Sequence, residues 1–472
     1  MKSATDEAGG GAERARETGV VVPALVAGFA TAVAMWLAGF VTHLPGMQAP
    51  PVATFVVLML IQVAGGFWAA RGVARRSAPM AALGAGLVAS VINLLILGSV
   101  IASEDGANEL RSGAIGIVLG SLGAGAVAAL VGGFIATASG GGRHATDRTL
   151  QRWLGRFGVV GAAAALPVIF SGGLVTSKDA GLAVYDWPTS FGSNMFLFPL
   201  RKMTGGIYYE HAHRLFGSLI GLTMLALTAL VLLKEPRRLV KATTVGVFLL
   251  VCAQGILGGI RVEAATPQIA APGVTVEQAD ANSPEGGGLA PTSDNRQSKV
   301  FAMVHGIAGQ LTFACVCAVA VILSPRWAAS GAPARSDRFL RVATVCLLGF
   351  LVVQLVLGAG TRHFDLHPAF MHAHISLGAL AVLVTGMVAG FRAAKRHADE
   401  PLLRRLGHAT AHTVGLQAAL GIAALVVVMI YRDEAVKPAI EVALTTMHQA
   451  VGAALLAFVT MLAMWTRKLV GT

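Results

Sequence analysis

Long apolar runs separated by short polar connections dominate the chain. Stretches such as VLMLIQVAGGFWAA and LIGLTMLALTALVLL approach the roughly 20 residues that a helix needs to cross a bilayer. Each such run predicts one membrane helix. The runs fall at residues 20–42, 53–71, 79–103, 112–138, 157–177, 208–233, 241–260, 300–324, 340–359, 370–391, 407–430 and 442–465. The pattern therefore predicts an all-α integral membrane protein with about twelve transmembrane helices.

Composition supports this fold class. Only 13% of the 472 residues are charged, against about 25% in soluble domains, and 55% are hydrophobic. The four cysteines all lie inside apolar runs, so we expect small core residues rather than a disulfide framework or a zinc site.

The excess of basic residues predicts an orientation in the membrane. Lys and Arg cluster in the connections after even-numbered segments, such as RHATDRTLQRWLGR and KEPRR, and are scarce in the others. The positive-inside rule then places both termini in the cytoplasm. The net charge of +12 is therefore topological, and we expect membrane lipid rather than nucleic acid as a partner. The N-terminal 19 residues have no apolar centre, unlike a signal peptide, so the predicted location is a bacterial inner membrane.

The last eight segments contain a repeat. HAHRLFGSLIG recurs as HAHISLGALAV, QGILG as QAALG, and MVHGIAGQL as TMHQAVGAA, in the same order. The repeat predicts two pseudo-symmetric four-helix bundles of parallel orientation at residues 151–330 and 331–472. Residues 1–150 lack the repeat and form a separate four-helix membrane block, for which we expect a scaffold or docking role, or one in cofactor delivery or regulation. The extracytoplasmic loop 261–298 predicts no clear fold.

The repeat also places four histidines at one depth. Each lies five to seven residues into an even-numbered segment and enters from the outer surface, and each is followed four positions later by a glycine on the same helix face. A glycine there leaves room for a flat, wide group beside the imidazole, and buried imidazoles are axial ligands of haem iron. We therefore predict two haem sites, one in each bundle. The histidines are His213, His305, His374 and His448, and their glycines are Gly217, Gly309, Gly378 and Gly452.

The proposed pairs are His213 with His305 and His374 with His448. A single histidine near a helix end is more often an interfacial or hydrogen-bonded residue, and only the matched set of four favours ligation. The remaining histidines keep that simpler interpretation. They include His211 and His372, on other helix faces, and His363, His367, His408 and His412, in a loop or at the cytoplasmic end.

The two halves differ at two positions. Glu210 lies one turn outside His213 on the same face, where the second half has Met371, and Arg214 corresponds to Ile375. A carboxylate at this place could stabilise a developing cation or move protons, and Arg214 could pair with a haem propionate. The alternative is an ion pair between Glu210 and Arg214 that only anchors the helix end.

At these residues the chain resembles the haem A synthase family of cytochrome oxidase assembly factors, over about residues 152–470. The motifs are GGIYYEHAHRLFGSLIGL, GLAVYDWP, QGILGGIRV, MVHGIAGQ and TTMHQAVGA. The resemblance implies oxidation of a methyl group of haem O to the formyl group of haem A. It implies Glu210 as the essential carboxylate, His213 and His305 as substrate-side ligands, and His374 and His448 as ligands of a permanent haem B.

The resemblance also implies partners: a haem O synthase upstream, the cytochrome oxidase assembly machinery, and an electron acceptor that the sequence does not identify. Two other functions remain open. A non-enzymatic di-haem membrane cytochrome explains the histidines but not the one-sided Glu210, and a haem-handling chaperone would carry out no chemistry.

Overall fold

A computed structural model of the chain describes residues 19–47, 49–103, 108–140, 149–265, 296–331, 335–434 and 436–471. The predictions for the polar N-terminal stretch and for most of loop 261–298 fall outside the described residues.

In the described part of the chain, twelve helices are long and apolar enough to cross a membrane. The predicted all-α membrane fold is therefore confirmed, and the protein is a multi-pass membrane protein. The helices are α1 (Val21–Thr42), α2 (Pro51–Arg71), α3 (Ala78–Ile101), α4 (Ala114–Ala138), α5 (Leu150–Ser177), α6 (Gly205–Lys234), α7 (Arg238–Ala265), α8 (Arg296–Leu323), α9 (Arg338–His363), α10 (Pro368–Arg396), α11 (Pro401–Ile430) and α12 (Ala439–Leu469).

Several helices extend beyond the apolar runs that predicted them. Helix α5 begins at Leu150 rather than 157, α7 ends at Ala265 rather than 260, and α8 begins at Arg296 rather than 300. Hydropathy marks only the part of a helix that matches hydrocarbon, whereas backbone hydrogen bonding continues into the polar interface. The four candidate histidines therefore lie six to nine residues beyond the first residue of their helices.

Two short strand pairs complete the described structure. Strands β1 (Thr189–Ser190) and β2 (Ser193–Asn194) form an antiparallel hairpin in the α5–α6 loop. Strand β3 (Arg335–Ser336), before α9, pairs in parallel with β4 (Val470–Gly471), after α12. The first pair lies in the loop that covers the first half of the repeat.

Small residues allow the helices of the N-terminal block to pack closely. A Cβ on Gly66 of α2 would lie 2.0 Å from the carbonyl oxygen of Ala129 in α4, and one on Gly132 of α4 would lie 1.9 Å from that of Val63 in α2. Such contact between backbones is how helices associate in lipid, where the hydrophobic effect supplies no driving force between them.

The block is joined to the first half of the repeat by aromatic packing and hydrogen bonds. The ring of Phe40 in α1 stacks on Tyr208 of α6 at 5.5 Å, and the Tyr208 hydroxyl donates to the Phe40 carbonyl at 2.6 Å. The Asn194 N–H of β2 donates to the Asn108 side chain in the α3–α4 loop at 2.5 Å. A Cβ on Gly98 of α3 would lie 2.2 Å from the Phe196 carbonyl oxygen. The block therefore braces both α6 and the α5–α6 loop.

The two halves of the repeat meet where α12 packs against α5 and α8. Hydroxyl groups join the two halves at the C-terminal end of α5. The Ser177 hydroxyl lies 2.9 Å from that of Thr445 and 3.1 Å from that of Thr446 in α12. The division into units at 1–150, 151–330 and 331–472 stays a prediction.

The prediction for the cysteines is only partly right. Cys317 is buried and Cys315 half-buried, but Cys252 and Cys346 are exposed on the outside of the helix bundle, and all four are free thiols. An apolar run places a residue in a membrane helix without saying whether it faces lipid or protein.

A buried carboxylate joins the start of α9 to the end of α10 in the second half. Asp337 caps α9 by accepting from the Leu340 N–H at 3.0 Å, and it also accepts from Arg392 at 2.9 Å and His397 at 3.2 Å, both from the end of α10. Burial raises the pKa of Asp337, but these hydrogen bonds together with the Arg392 charge outweigh it, so its pKa lies below the ordinary value. The charged carboxylate therefore stabilises the fold.

We expect Asp337→Asn to lower the free energy of unfolding of the detergent-solubilised protein by about 1–3 kcal/mol at pH 7, because charge-assisted hydrogen bonds and the cap are lost. Since the folded-state pKa is lowered, the stabilisation is complete above the unfolded carboxyl pKa and disappears as the pH falls through the folded value. Thermal unfolding should show a constant difference in stability between wild type and Asp337→Asn from pH 7 to 5 that shrinks only in stronger acid.

The control is Asp399→Asn, which removes an exposed partner of Arg335 and should change the stability little. Equal effects of the two substitutions would contradict this role.

Candidate functional site

The structure brings the four candidate histidines together in the predicted pairs. The ring centroids of His213 and His305 lie 6.2 Å apart with planes at 87°. Those of His374 and His448 also lie 6.2 Å apart, with planes at 83°. Two imidazoles on opposite sides of one metal ion have centroids about 6 Å apart, since each metal–nitrogen bond is about 2 Å long and each ring adds its radius. Each pair therefore has the spacing of two axial ligands of one iron.

Each histidine ring packs against a glycine of the helix that precedes its own in the chain. A Cβ on that glycine would lie only 2.7 to 3.3 Å from Cε1 of the ring. The four contacts are Gly172 with His213, Gly258 with His305, Gly358 with His374, and Gly421 with His448. The sequence interpretation missed these glycines, although their spacing was visible, because three of them follow a glutamine by four residues in QGILG, QLVLG and QAALG.

The glycines predicted beside the histidines have mixed surroundings. A Cβ on Gly217 would meet nothing within 4 Å among the described residues, so the space predicted there is open. The other three face the glutamines of the preceding helices: Gly309 lies against Gln254, Gly378 against Gln354 and Gly452 against Gln417. The fourth preceding helix, α5, has Val168 at the glutamine position. Of these four places, only the one beside His213 is lined by an apolar residue instead of an amide.

Hydrogen bonds orient the rings within the pairs. The Ser171 hydroxyl lies 3.1 Å from Nδ1 of His213, and the Gln354 carbonyl lies 3.1 Å from Nδ1 of His374. A bond to Nδ1 fixes ring orientation and leaves Nε2 for a metal ion, as in most histidine-ligated sites. Nδ1 of His305 and of His448 is buried, and these two rings interact with the backbone of Gln254 and Gln417, at the position that Gln354 occupies for His374.

Helix α10 is irregular directly after its histidine. Residues Gly378–Leu383 form a π-helical turn between the α-helical parts Pro368–Leu377 and Val384–Arg396. The Gln354 amide donates to the His374 carbonyl at 2.8 Å, so this carbonyl has a side-chain donor in addition to the backbone N–H of Gly378. Single π turns inside membrane and soluble helices are frequent at functional sites.

The residues present fit an iron porphyrin. Each pair offers two imidazoles at ligand spacing and a glycine-lined contact for each ring. Among the described residues, no group of three or more His, Cys, Asp and Glu could enclose a metal ion. Two protein ligands and a planar tetradentate group together complete six-fold coordination.

The side chain of Arg214 is used to hold the α5–α6 loop. Its Nη1 donates to the Asp186 carbonyl at 2.6 Å and the Thr189 carbonyl at 3.1 Å. Its Nη2 donates to the Val184 carbonyl and to Oε1 of Glu210, both at 2.8 Å. The ion pair of the alternative interpretation is therefore present, and contact of Arg214 with a ligand carboxylate stays a prediction.

Glu210 is buried, and both of its oxygens are hydrogen-bonded. Oε1 accepts from Arg214 at 2.8 Å and Oε2 accepts from the Val184 N–H at 3.2 Å. Each carboxylate oxygen has two lone pairs, so one bond on each leaves acceptor capacity for a substrate or water. At the corresponding place in the second half, Met371 is half-buried and Ile375 is 43% exposed. The predicted asymmetry is therefore also an asymmetry of structure.

The other histidines lie outside the pairs. His211 is buried on another face of α6, where Nδ1 lies 3.2 Å from the Ser190 hydroxyl and the ring packs on Phe198 at 5.3 Å. His372 is exposed, and His408 stacks on His412 at 6.0 Å. His363, predicted to lie in a loop, is instead the last residue of α9, and His367 directly precedes α10.

Fold and site together define a class: a multi-pass helical membrane protein with two intramembrane histidine pairs at metal-ligand spacing. Residues 155–375 match the family described as cytochrome oxidase assembly protein, so the chain is similar to that family over this range. The match supports a role in cytochrome oxidase assembly. The match covers Glu210, His213, His305 and His374 but ends before His448, and it leaves out the N-terminal block. No curated protein matches the chain significantly.

A prediction follows from the contact between glycine and histidine. We expect Gly358→Ala to displace the His374 ring, because the added Cβ would lie 2.7 Å from Cε1, and so to remove the haem of the second pair. Gly349→Ala is the matched control on the same helix, where a Cβ meets nothing within 4 Å among the described residues. The haem content of the purified variants, measured as pyridine haemochrome per protein, decides between them. Full haem content in Gly358→Ala would show that the contact does not position the ligand.

Proposed function

We propose that the protein is a haem A synthase, an oxidoreductase that converts the methyl group of haem O into the formyl group of haem A. The observation that carries the proposal is the asymmetry between two histidine pairs of equal geometry. Both pairs have ring centroids 6.2 Å apart, but among the described residues only the first has a buried carboxylate one turn further out on a ligand helix. The buried Glu441 of the second half lies two turns before His448. Two sites that served electron transfer alone would need no such difference.

In this proposal the first pair, His213 and His305, holds haem O as the substrate, and the second pair, His374 and His448, holds a permanent haem B. The haem B would supply one-electron redox chemistry or structural support. Gly217 would line the face of the first ligand beside open space, whereas Gly309 in the first site and Gly378 and Gly452 in the second would do so together with the glutamines packed against them. The match to the cytochrome oxidase assembly family agrees with this assignment.

Glu210 is the proposed catalytic residue. Oxidation of a methyl group by removal of electrons leaves positive charge on the carbon and releases protons. A carboxylate fixed by Arg214 and the Val184 N–H can stabilise that charge without reorganising, and its remaining lone pairs can accept a proton or orient the attacking water. Arg214 acts as a positioning residue, because it joins Glu210 to the loop over the site.

The proposal includes location and partners. We infer a bacterial inner membrane, with both termini in the cytoplasm and the histidine pairs in the outer leaflet, from the distribution of basic connections. A haem O synthase would supply the substrate, the cytochrome oxidase assembly machinery would receive the product, and an electron acceptor of unknown identity would complete the reaction.

The test of Glu210 uses a matched residue on the same helix. We expect Glu210→Gln to keep both haems but to abolish haem A formation, because the amide retains hydrogen bonding without the charge. Glu235→Gln is the control, since Glu235 is also buried and paired with an arginine, Arg237, but at the inner end of α6. Haems extracted from membranes that also contain a haem O synthase would be separated by chromatography. Undiminished haem A from Glu210→Gln would rule out the catalytic assignment.

A di-haem membrane cytochrome is the second candidate, and the equal geometry of the two pairs favours it. The haems extracted from the purified wild-type protein separate the two functions. A haem A synthase should carry haem B together with haem O, haem A or a hydroxylated intermediate. A cytochrome should carry haem B alone, in twice the amount. The second result, obtained in the presence of a haem O synthase, would contradict the proposed function.

A further inference from the structure

A second arginine lies over the first histidine pair. Arg261 of α7 follows Gly258, the glycine that contacts His305, by three residues and Gln254 by seven. Residues at these spacings share one face of a helix. Arg261 therefore projects from the His305 side of α7, about one turn closer to the outer surface than the ring.

The α5–α6 loop packs directly on the guanidinium. A Cβ on Gly181 would lie 2.2 Å from Nη1 and 2.5 Å from Nη2 of Arg261, so only a glycine allows the loop backbone to lie there. Trp187 of the same loop also packs on α7, because its ring lies against Gly259. The loop that Arg214 fastens to α6 thus also covers Arg261 and holds it half-buried.

One nitrogen of the guanidinium lacks the partner that its position requires. The Nε of Arg261 is buried and has no hydrogen-bond partner among the described residues. The ion pairs formed within the described part of the chain do not include Arg261. Arg214, by contrast, makes four hydrogen bonds. A half-buried cation without an acceptor is unfavourable unless an anion binds to it.

The charge of Arg261 reaches both histidines of the first pair. It is close enough to interact electrostatically with His213 and His305, and also with His363 at the end of α9. The corresponding residue in the second half, three positions after Gly421, is the buried Ala424. The cation is therefore a property of the first site alone, as Glu210 is.

We propose that Arg261 is the anion-binding residue of the first site and that it binds a propionate carboxylate of the porphyrin held between His213 and His305. This inference rests on the proposed haem function and assigns to Arg261 the role that the sequence suggested for Arg214. A guanidinium one turn outside the imidazoles matches a porphyrin whose carboxylates point toward the outer surface. A phospholipid phosphate in the outer leaflet has similar chemistry, and the experiment distinguishes the two.

The test measures binding rather than turnover. Haem B and haem B dimethyl ester, which lacks both carboxylates, are titrated into the detergent-solubilised protein and followed by Soret absorbance. The first-site signal is the one that His213→Ala removes. We expect Arg261→Gln to weaken first-site binding of haem B by about 10- to 100-fold, the loss of one charge-assisted hydrogen bond, and to leave binding of the ester unchanged. Arg261→Lys should retain part of the affinity for haem B.

Arg111→Gln, which removes an exposed arginine from the outer α3–α4 connection, is the control and should change neither titration. Unchanged haem B affinity in Arg261→Gln would overturn the proposal, and so would an equal loss for haem B and the ester, because that would show a structural role. Loss of co-purified anionic phospholipid with unchanged haem affinity would assign Arg261 to lipid. Because no turnover is measured, these outcomes are independent of whether haem A is formed.

Discussion

The site depends on one packing constraint: each histidine ring lies against a glycine of the neighbouring helix. An imidazole can point to the centre of a tightly packed helix bundle only if the neighbouring helix leaves room for it. Gly172, Gly258, Gly358 and Gly421 provide that room four times, at distances too short for a Cβ to be added without movement. Since the rings are held against backbone, their spacing and orientation are set by helix packing and not by rotamer preference. Both pairs consequently have the same centroid distance.

On this symmetric frame the first half carries additional polar groups. Glu210 and Arg214 on α6, and Arg261 on α7, all contact the loop between α5 and α6, through Val184, Thr189 and Gly181 in particular. The N-terminal block reaches the same loop through Asn108 and Gly98. Contacts from α6, α7 and the N-terminal block therefore fix the loop. They hold the Glu210 carboxylate and the guanidinium groups of Arg214 and Arg261 in place with it. In the proposed function this rigidity keeps charge in place at the substrate, where preorganised groups are most effective.

Much of the fold and the ligand set could be predicted from the sequence. The number of helices follows from hydropathy because lipid requires each crossing segment to satisfy its own backbone. The pairing of His213 with His305 and of His374 with His448 followed from the repeat. Residues at corresponding positions of the two halves are expected to occupy corresponding places in the two helix bundles. Helix ends were less accurate, as at Leu150, because polar residues continue a helix beyond the hydrocarbon.

Interactions between distant segments were not predictable in the same way. The role of Arg214 was assigned from its place near His213, but its four acceptors lie in a loop whose path hydropathy does not describe. Arg261 was overlooked because a single arginine near a helix end is ordinary, and only the packing of Gly181 shows that it is covered. Likewise, the exposure of Cys252 and Cys346 depends on which face of a uniformly apolar helix meets lipid.

The proposed function requires that each histidine pair, whose imidazole planes lie at 87° and 83°, can hold one iron. Electron paramagnetic resonance of the oxidised, purified protein measures this. We expect two low-spin ferric haems per molecule, both with the highly anisotropic signal that perpendicular imidazole planes produce. High-spin signals of five-coordinate iron, or fewer than two irons in fully loaded protein, would contradict it.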